Sequence, residues 1–493
     1  FSPNIRDRLD FSCAIFDADG ELCAQAAHIP VHLGSMAYAM SDVVSDIDWR
    51  PGDQVVFNDP FLGGTHLPDV TLVAPVFSDG CLMGFVVNRA HHADIGAQRP
   101  GSMPISRSLE EEGQIIPPTH LVSAGRTNQA LLDGLSGAAG NTRESAGDFS
   151  AQLAANRAGA RALGSLIAGI GEDRYREGLA ALNDYAERLA RSALQRLPVG
   201  SYHFEDLLDD DGQGRRDIPI RVEILVADEG VRVDFTGSAP QVEGNVNCPL
   251  AVTAAAVFYV FRCLMPPQTP ACAGAFRPIE LTAPAGSLLN AHRPAAVAAG
   301  NVETSTRVVD VLLGALAQAE PELIPAASHG SMNNLAIGAA GPHAWSYYET
   351  LGGGMGAHVL DSGLDAVQTH MTNTLNTPVE ILESYYPLRV GRYALRRGSG
   401  GDGWHRGGDG LIRELEFLAP AHFTLLTERR RHAPWGLAGG GPARPGRNLL
   451  NGEPLPGKCE GEVGVGDRLS IETPGGGGWG HGDGRSNDAG GGA

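Results

Sequence analysis

The sequence has little positive charge. Its 37 Lys and Arg residues are outnumbered by 57 Asp and Glu residues, and the formal net charge is −20. Proteins that bind nucleic acid need a basic face that displaces counterions from the phosphates, and anionic membrane surfaces also attract basic segments. The charge balance therefore argues against nucleic acid and against a membrane surface as partners.

Long hydrophobic runs are also missing. The most apolar stretch, 251–265, is interrupted by Arg262, whereas a membrane span needs about 20 apolar residues. We therefore expect a buried helix in this stretch and no membrane-spanning segment.

Cysteines with the spacing of a metal or redox motif are absent. The seven cysteines are odd in number and scattered, and none forms a CxxC motif. This pattern favours reduced thiols over a disulfide framework or a thiolate zinc site. We therefore expect a cytoplasmic protein.

A phosphate-binding loop is missing as well. The only Gly-Lys pair, Gly457-Lys458, is followed by Cys459 and does not belong to a GxxxxGK[S/T] motif. That motif supplies the backbone N–H groups and the lysine that hold nucleotide phosphates. We therefore expect no ATP site of this type in the chain.

The sequence does contain the residues of a large, turn-rich globular fold. Hydrophobic residues make up 42% of its 493 residues, with 66 Gly and 32 Pro, and this length predicts two to four domains. Hydrophobic periodicity predicts strands at 11–16, 54–57, 70–77 and 81–88, and helices at 29–44, 250–264 and 304–319. We predict a multidomain α+β (mixed α/β) fold with Gly-rich loops and a two-helix insertion near 148–197. The predicted regions are a strand-rich domain at 1–135, a helical segment at 136–200, an α/β domain at 201–375 and a β-rich C-terminal region with a Gly-rich tail at 376–493.

Potential metal ligands concentrate in one window, 58–96. His66 and Asp69 are three residues apart on a loop, and a predicted hairpin over 70–88 returns the chain to His91, so the three side chains can converge. Imidazole and carboxylate ligands suit Zn²⁺, Mn²⁺ or Fe²⁺, and three protein ligands leave positions open for water. The competing interpretation is a capped turn followed by ordinary core and surface histidines.

Several ordered stretches resemble one protein family over nearly the whole chain. They are FSPNIRDRLDFSCAIFDADGELCAQAAHI at 1–29, PVHLGSM at 30–36, NDPFLGGTHLPDV at 58–70, HHADIGAQRPGSMP at 91–104, GNVETSTRVVD at 300–310, YYETLGGGMGA at 347–357 and THMTNTLNTPVEILE at 369–383. The chain resembles the hydantoinase B/oxoprolinase family. This family includes the B subunits of ATP-dependent N-methylhydantoinases, caprolactamase, the C-terminal half of 5-oxoprolinase and the metal-bearing subunit of acetone carboxylase.

The resemblance implies a metal site in the strand-rich first domain. His66, Asp69 and His91 fall on the family's ligand positions, and Asp7 falls where relatives place a Glu or Asp beside the same metal. The shorter Asp side chain at position 7 requires a closer backbone or a bridging water. The implied cofactor is one divalent transition metal, with zinc expected first and manganese or iron as alternatives.

Two further groups are candidate catalytic residues. His92 and Asp94 follow the predicted ligand His91 and are expected either to orient a ligand imidazole or to move a proton. Ordinary loop contacts are the competing interpretation for both. Weaker candidates are His28 and His32, the polar run at 301–307 (an anion site at a helix N-terminus, or a simple N-cap), and the segments 352–356 and 370–374 as tight loops around a site.

The resemblance also implies a reaction and a partner. The expected function is that of the metal-bearing subunit of an ATP-dependent cyclic amide hydrolase, which opens a lactam, 5-oxoproline or hydantoin ring. A hydantoinase A-type subunit would bind the ATP and phosphorylate the amide oxygen, and this chain would hydrolyse the labile intermediate inside an A2B2 heterotetramer. The alternatives are the metal subunit of an acetone-carboxylase-like ATP-dependent carboxylase and a non-catalytic scaffold for the ATP-binding partner.

Overall fold

The first sheet of the protein carries two of the four predicted ligands, Asp69 and His91. The computed structural model describes residues 2–26, 29–138, 141–341 and 344–482. The strands of this sheet are β1 (Phe11–Phe16), β2 (Leu22–Ala26), β3 (Gln54–Phe57), β4 (Asp69–Ser78), β5 (Cys81–His91), β6 (Thr119–Ser123) and β7 (Arg126–Thr127). Their order across the sheet is β2-β1-β5-β4-β3-β6-β7. The short helix α1 (Pro3–Arg6) precedes the sheet, and α2 (Pro30–Ser45) follows β2.

The hairpin of β4 and β5 follows from local sequence. Both strands are apolar and almost wholly buried, and the turn between them has positive φ at Asp79 (45°) and Gly80 (82°). Two central residues with positive φ match the right-handed twist of the flanking strands. The predicted strands 70–77 and 81–88 are present, and β5 extends three residues further than predicted, to His91.

Three helices cover one face of the first sheet and lead into the second. They are α3 (Gln129–Ala138), α4 (Thr142–Ile170) and α5 (Glu172–Leu194). Gly171, with φ 88°, separates α4 from α5, so the predicted two-helix insertion is present. Gln152 and Asn156 of α4 donate hydrogen bonds to the carbonyl oxygens of Val70 and Leu72, which fixes the helix on β4.

The second sheet packs on two apolar helices. Its strands are β8 (Gly200–Asp210), β9 (Arg216–Ala227), β10 (Gly230–Asp234) and β11 (Ile279–Thr282), in the order β11-β10-β9-β8. The helices are α6 (Leu250–Leu264) and α7 (Ser305–Ala319), and a π-helical turn, Gly300–Thr304, leads into α7. Alternate residues of β9 are buried, as the period of a half-buried strand requires. A methyl group at Gly34 of α2 would lie 2.4 Å from the Cα of Ala255 in α6, so a small residue allows these helices to touch.

Two further sheets complete the C-terminal half. The remaining elements are β12 (Asn334–Ala339), β13 (Trp345–Glu349), α8 (Val379–Tyr385), β14 (Leu388–Arg396), β15 (Gly410–Phe417), β16 (Ala421–Leu426), β17 (Arg447–Leu450), β18 (Glu453–Leu455), β19 (Lys458–Val463) and β20 (Arg468–Glu472). They form sheets of order β13-β12-β16-β19 and β14-β15-β20-β17-β18. The third sheet joins strands from both sides of residue 375, and the domain boundaries near 135, 200 and 375 stay predictions.

The Gly-rich loops of this half are close-packed. A methyl group at Gly476 would lie 2.0 Å from the carbonyl oxygen of Met355, so these loops require glycine for their contact. The predicted Gly-rich tail lies outside the described residues from 483 onward. Within the described ranges, no helix combines the length and the apolar composition needed to cross a membrane.

Candidate metal centre

The hairpin places two predicted ligands opposite each other. Asp69 opens β4 and His91 closes β5, and the antiparallel register pairs the two residues directly. His66 precedes them on a tight turn in which its carbonyl oxygen accepts a hydrogen bond from the N–H of Asp69 at 3.0 Å. The structure therefore brings His66, Asp69 and His91 together at one end of the hairpin.

The three side chains form a compact, buried cluster. His66 Nε2 and His91 Nδ1 each lie 3.1 Å from Asp69 Oδ1, and one ligand atom from each residue lies within 4.8 Å of the other two. All three residues are at most 3% exposed. Because a tetrahedral site with bonds of about 2.0–2.2 Å separates its ligand atoms by about 3.3–3.6 Å, the observed spacing is close to that of a metal site.

The second oxygen of Asp69 is held by other groups. Asp69 Oδ2 accepts hydrogen bonds from the Thr65 hydroxyl at 2.7 Å and from the Asn301 side-chain amide at 3.3 Å. His32 Nε2 lies 3.2 Å from the same oxygen, and His32 Nδ1 lies 3.3 Å from the Ser12 hydroxyl. These contacts fix the carboxylate with Oδ1 directed between His66 and His91.

His66 is oriented by a distant loop. Its Nδ1 lies 3.2 Å from the carbonyl oxygen of Ala298, which leaves Nε2 directed at Asp69. The buried carboxylate of Glu112 accepts hydrogen bonds from the N–H groups of Val297 and Ala298, both at 2.9 Å. A ligand imidazole commonly donates its other nitrogen to a carbonyl in this way, which sets its tautomer.

The charges and the burial of the cluster put two of its three residues in their metal-binding forms. Burial opposes ionisation of Asp69, but the His66 and His32 imidazoles hold the pKa of this carboxyl well below its usual range. Burial lowers the pKa of His91, whereas the charge of Asp69 outweighs burial at His66 and raises its pKa. Asp69 is therefore ionised and His91 is neutral near pH 7, as metal ligation requires.

The residues present fit a divalent transition metal. His66 Nε2, which faces Asp69 Oδ1, is buried and has no hydrogen-bond partner in the described part of the chain. For His66 this holds although Asp69 Oδ1 is only 3.1 Å away, because the contact lacks hydrogen-bond geometry. Buried polar atoms are normally paired, and two imidazoles with one carboxylate are a common donor set for zinc, manganese or iron.

The predicted fourth ligand, Asp7, is not brought to the cluster. Its carboxylate makes a bidentate pair with the adjacent guanidinium of Arg6, at 2.8 and 2.9 Å. A second acid beside His91, in addition to Asp69, is instead Asp10, whose carbonyl oxygen accepts the His91 N–H at 3.0 Å and whose charge acts on the His91 imidazole. The signal for Asp10 is its place immediately before β1, the strand that pairs with β5.

His92 and Asp94 also point elsewhere. His92 Nε2 lies 2.9 Å from Gln152 Oε1 of α4, on the opposite side of the strand from His91. Asp94 accepts hydrogen bonds from the N–H of Gly96 at 2.8 Å and the hydroxyl of Ser102 at 3.2 Å. Both residues thus hold local structure around the predicted site.

Some of the weaker candidates contact the cluster, and the others have partners elsewhere in the protein. His32 and Asn301 contact Asp69, as described above. In the run 301–307, Glu303 accepts hydrogen bonds from Met332 N–H and the Asn334 amide, and Arg307 pairs with Glu428 at 3.2 Å, so these groups are engaged inside the protein. His28 lies outside the described residues.

A family match over almost the whole chain assigns the protein to a known class. The family model described as hydantoinase B/oxoprolinase matches residues 1–482. The chain belongs to this family, as the resemblance predicted.

Named relatives and a solved structure are similar over most of the chain. A protein named 5-oxoprolinase 1 from Arabidopsis thaliana is 40% identical over 97% of this chain and 40% of its own length. A putative B-type subunit of a D-/L-hydantoinase from a Pseudomonas species is 34% identical over 89% of this chain and 77% of its own. The crystal structure of ATP-dependent caprolactamase from Pseudomonas jessenii matches with a TM-score of 0.90 at 28% identity, over 96% of this chain and 85% of that one. This match confirms the predicted mixed α/β, multidomain fold class.

Proposed function

We propose that this chain is the metal-bearing subunit of an ATP-dependent hydrolase that opens a cyclic amide: a lactam, 5-oxoproline or a hydantoin. The observation that carries the proposal is the buried group of His66, Asp69 and His91 in a chain whose fold matches that of an ATP-dependent caprolactamase. Relatives named as a 5-oxoprolinase and as a B-type hydantoinase subunit support the same class of substrate.

The need for ATP has a chemical reason. Amide resonance makes the carbonyl carbon of an unstrained ring a poor electrophile, and phosphorylation of the amide oxygen gives an imidate phosphate whose carbon water can attack. The ring opens when the C–N bond of the resulting tetrahedral species breaks and the protonated nitrogen leaves, and a second water then displaces phosphate from the acyl phosphate. We propose that a hydantoinase A-type partner performs the phosphorylation, in an A2B2 heterotetramer. The chain spans only 40% of the length of its 5-oxoprolinase relative, which leaves room in that protein for an activating part, and the hydantoinase relative is itself named as one subunit of an enzyme.

The cluster residues would hold one divalent ion, with zinc expected first and manganese or iron as alternatives. When bound, such an ion supplies Lewis-acid activation of water and of a carbonyl oxygen. His66, Asp69 and His91 would provide the ligand atoms, and His32, Thr65 and Asn301 would hold the carboxylate in place.

The protein itself would exclude bulk water and orient the reacting groups. The cluster is almost wholly buried, which suits an intermediate that water destroys. The predicted proton-transfer residues have other partners: His92 bonds to Gln152, and Asp94 accepts hydrogen bonds from its own loop and from the Ser346 hydroxyl of β13. Neither residue is therefore assigned a contact with substrate.

Elemental analysis of the purified chain tests the metal site. We expect about one transition metal per chain in the wild type, loss of that metal in His91→Ala, and full retention in His203→Ala, which removes an exposed imidazole on β8. A metal-replete wild type that holds no metal would contradict the site.

Turnover tests the reaction. Chains mixed with a hydantoinase A-type subunit should open a cyclic amide only with ATP, and His66→Ala should abolish this activity while the complex still elutes intact from a sizing column. Full activity in His66→Ala would show that the chain acts only as a scaffold for its partner. ATP-dependent carboxylation of a ketone, in place of ring opening, would instead make the chain the metal subunit of an acetone-carboxylase-like enzyme.

A further inference from the structure

An apolar groove opens on the surface beside the loop 355–364. It has a volume of about 380 Å³ and lies between α7 and the C-terminal half of α6. Its walls include Leu264 and Leu313, and no lining residue among those the structure describes is Asp, Glu, Lys or Arg. Leu323 and Met355, which also line it, are exposed. Exposed apolar surface around a groove commonly marks a contact with another protein.

A projecting leucine lies next to this groove. The loop 355–364 closes on itself, because the N–H of its first residue donates to the carbonyl oxygen of its last at 2.9 Å. At its tip the backbones of His358 and Asp361 exchange two hydrogen bonds, at 2.9 and 3.2 Å. Leu360 lies in this tip and is 77% exposed, more than any other large hydrophobic residue in the described ranges. Since Met355 begins the loop and also lines the groove, the leucine and the groove belong to one surface.

A projection and a groove on the same surface suit a contact between two identical chains. In a twofold dimer one surface faces a second copy of itself, so each contact is made twice. Leu360 of each copy would then enter the groove of the other. The uncharged walls of the groove match an aliphatic side chain, which loses no hydrogen bond on leaving water.

The charges beside the two elements are complementary. Asp361 follows Leu360, is exposed, and its carboxylate pairs with no cation in the described ranges. Arg262 precedes Cys263 of the groove wall, and its guanidinium donates to backbone carbonyl oxygens, the nearest at 2.7 Å, and to no carboxylate in those ranges. With Leu360 in the groove, Asp361 of one copy would lie near Arg262 of the other. Such charge pairs favour one register of an interface over others.

We infer that two copies of this chain associate through this surface, with Leu360 of each copy in the groove of the other and Asp361 beside Arg262. The partner is a second copy because the groove, the leucine that fits it and both unpaired charges are on one chain. The inference goes beyond the proposed function, whose A2B2 stoichiometry names no contact between the two B-type chains.

Analytical ultracentrifugation of the purified chain over a dilution series tests the inference. The wild type should sediment with the mass of two chains at micromolar concentration. Leu360→Asp places a charge in the apolar groove and should raise the dissociation constant of the dimer about 100-fold or more, as for a residue central to an interface. The matched control is Val465→Asp, which makes a similar change at a highly exposed residue between β19 and β20 and should leave the dimer intact. Because both residues are more than two-thirds exposed, neither variant should shift the unfolding midpoint.

A cross-link tests which surfaces meet. Cys263 and Cys81 are the two exposed cysteines of the described chain, so Cys81→Ser leaves Cys263 as the exposed thiol. In this background Leu360→Cys should allow a short bis-maleimide to join position 360 of one copy to Cys263 of the other. The product should run as a covalent dimer, its linked peptide should be identified by mass spectrometry, and Cys263→Ser should remove it. A link within one chain would run as a monomer.

The possible outcomes separate this inference from the proposed function, because neither experiment needs metal, ATP or the partner subunit. A monomeric wild type, or a dimer that survives Leu360→Asp and gives no link to Cys263, would overturn the inference and leave the metal site and ring opening unaffected. Leu360→Asp that keeps the state of the chain alone but no longer binds the hydantoinase A-type subunit would also overturn it, and would assign the groove to that subunit.

Discussion

The imidazole of His91 lies flat on the phenol ring of Tyr348, with ring centroids 4.7 Å apart and an angle of 15° between the planes. His91 ends a strand of the first sheet and Tyr348 lies on β13 of the third, so a side chain from one sheet orients a predicted ligand on another. The Tyr348 hydroxyl donates to Asn334 Oδ1 at 2.7 Å, and the guanidinium of Arg8 lies 4.9 Å from the Tyr348 ring centroid.

Replacing Tyr348 should separate the role of its ring, which stacks on His91, from the role of its hydroxyl, which bonds to Asn334. In Tyr348→Leu the stacked ring is lost, and we expect metal affinity to fall by about tenfold or more, as for other groups that orient a ligand. Tyr348→Phe keeps the ring and loses only the hydroxyl, so it should retain metal and cost about 1 kcal/mol of stability. Metal content after dialysis against a graded chelator measures the first effect, and denaturant unfolding measures the second. Equal metal loss in both variants would show that the hydroxyl, and not the stack, holds His91.

A matched pair of variants tests whether Asp10 or Asp7 is the acid that supports metal binding. Both acids lie beside an arginine, Asp10 3.7 Å from Arg8 and Asp7 2.8 Å from Arg6, but only Asp10, which is 5% exposed, has a charge that acts on His91. We expect Asp10→Asn to weaken metal binding about 10-fold to 100-fold and Asp7→Asn to leave it unchanged. Metal titration of the two apo variants makes the comparison. A larger loss in Asp7→Asn would restore Asp7 to the site that the family resemblance assigned to it.

Local sequence was enough to predict the part of the centre that a hairpin builds. Apolar strands on either side of Ser78-Asp79-Gly80 predict β4 and β5. In an antiparallel pair the start of the first strand lies opposite the end of the second. The proximity of Asp69 and His91 follows from that rule alone. The helices at 250–264 and 304–319 were likewise within one residue of α6 and α7, because long apolar segments are bounded by clear turn residues.

The rest of the centre depends on contacts between distant segments. Asp10 reaches His91 only because β1 pairs with β5, a choice among many possible strand pairings. Asn301 and Tyr348 come from more than 200 positions further along the chain, and no periodicity predicts which loop will lie against which sheet. His92 was grouped with the site by adjacency, but successive residues of an extended chain point to opposite sides, and the structure turns His92 toward α4.

The buried carboxyl of Glu303 should make stability depend on pH. Burial and the nearby charge of Glu428 raise the pKa of Glu303 from 4.5 to about 7, so between pH 4.5 and 7 the folded protein keeps a proton that the unfolded chain releases. Stability therefore falls as the pH rises through this window, by up to about 3 kcal/mol. Glu303→Gln imitates the protonated form, and its unfolding free energy should change less between pH 5 and pH 7.5.

Denaturant titrations at the two pH values provide the measurement. The pKa of Glu112 is also raised to about 7, so Glu303→Gln keeps the part of the slope that Glu112 causes, and the difference between variant and wild type reports Glu303. Glu322→Gln, an exposed substitution, is the control and should follow the wild type. An unchanged slope in Glu303→Gln would show that Glu303 is ionised in the folded protein throughout this range.

The only lysine of the sequence should be important for stability. Lys458 Nζ lies 2.5 Å from Glu428 Oε1, and both side chains are fully buried. Arg307 of α7 pairs with the other oxygen of Glu428 at 3.2 Å. Lys458, Glu428 and Arg307 therefore connect the third sheet to α7, the helix that packs against the second sheet. Lys458→Met leaves Glu428 with less compensation for its lost hydration, and breaking such a pair costs about 3–5 kcal/mol.

An exposed pair supplies the comparison for this last prediction. Arg232 and Glu280 lie 3.1 Å apart with more than half of each side chain exposed, and Arg232→Met should cost less than about 1 kcal/mol. Denaturant unfolding of both variants measures the difference. If Lys458→Met is no more costly than Arg232→Met, Glu428 must take up a proton when the lysine is removed, and the loss of stability in Lys458→Met should then appear only above the pH at which that proton is released.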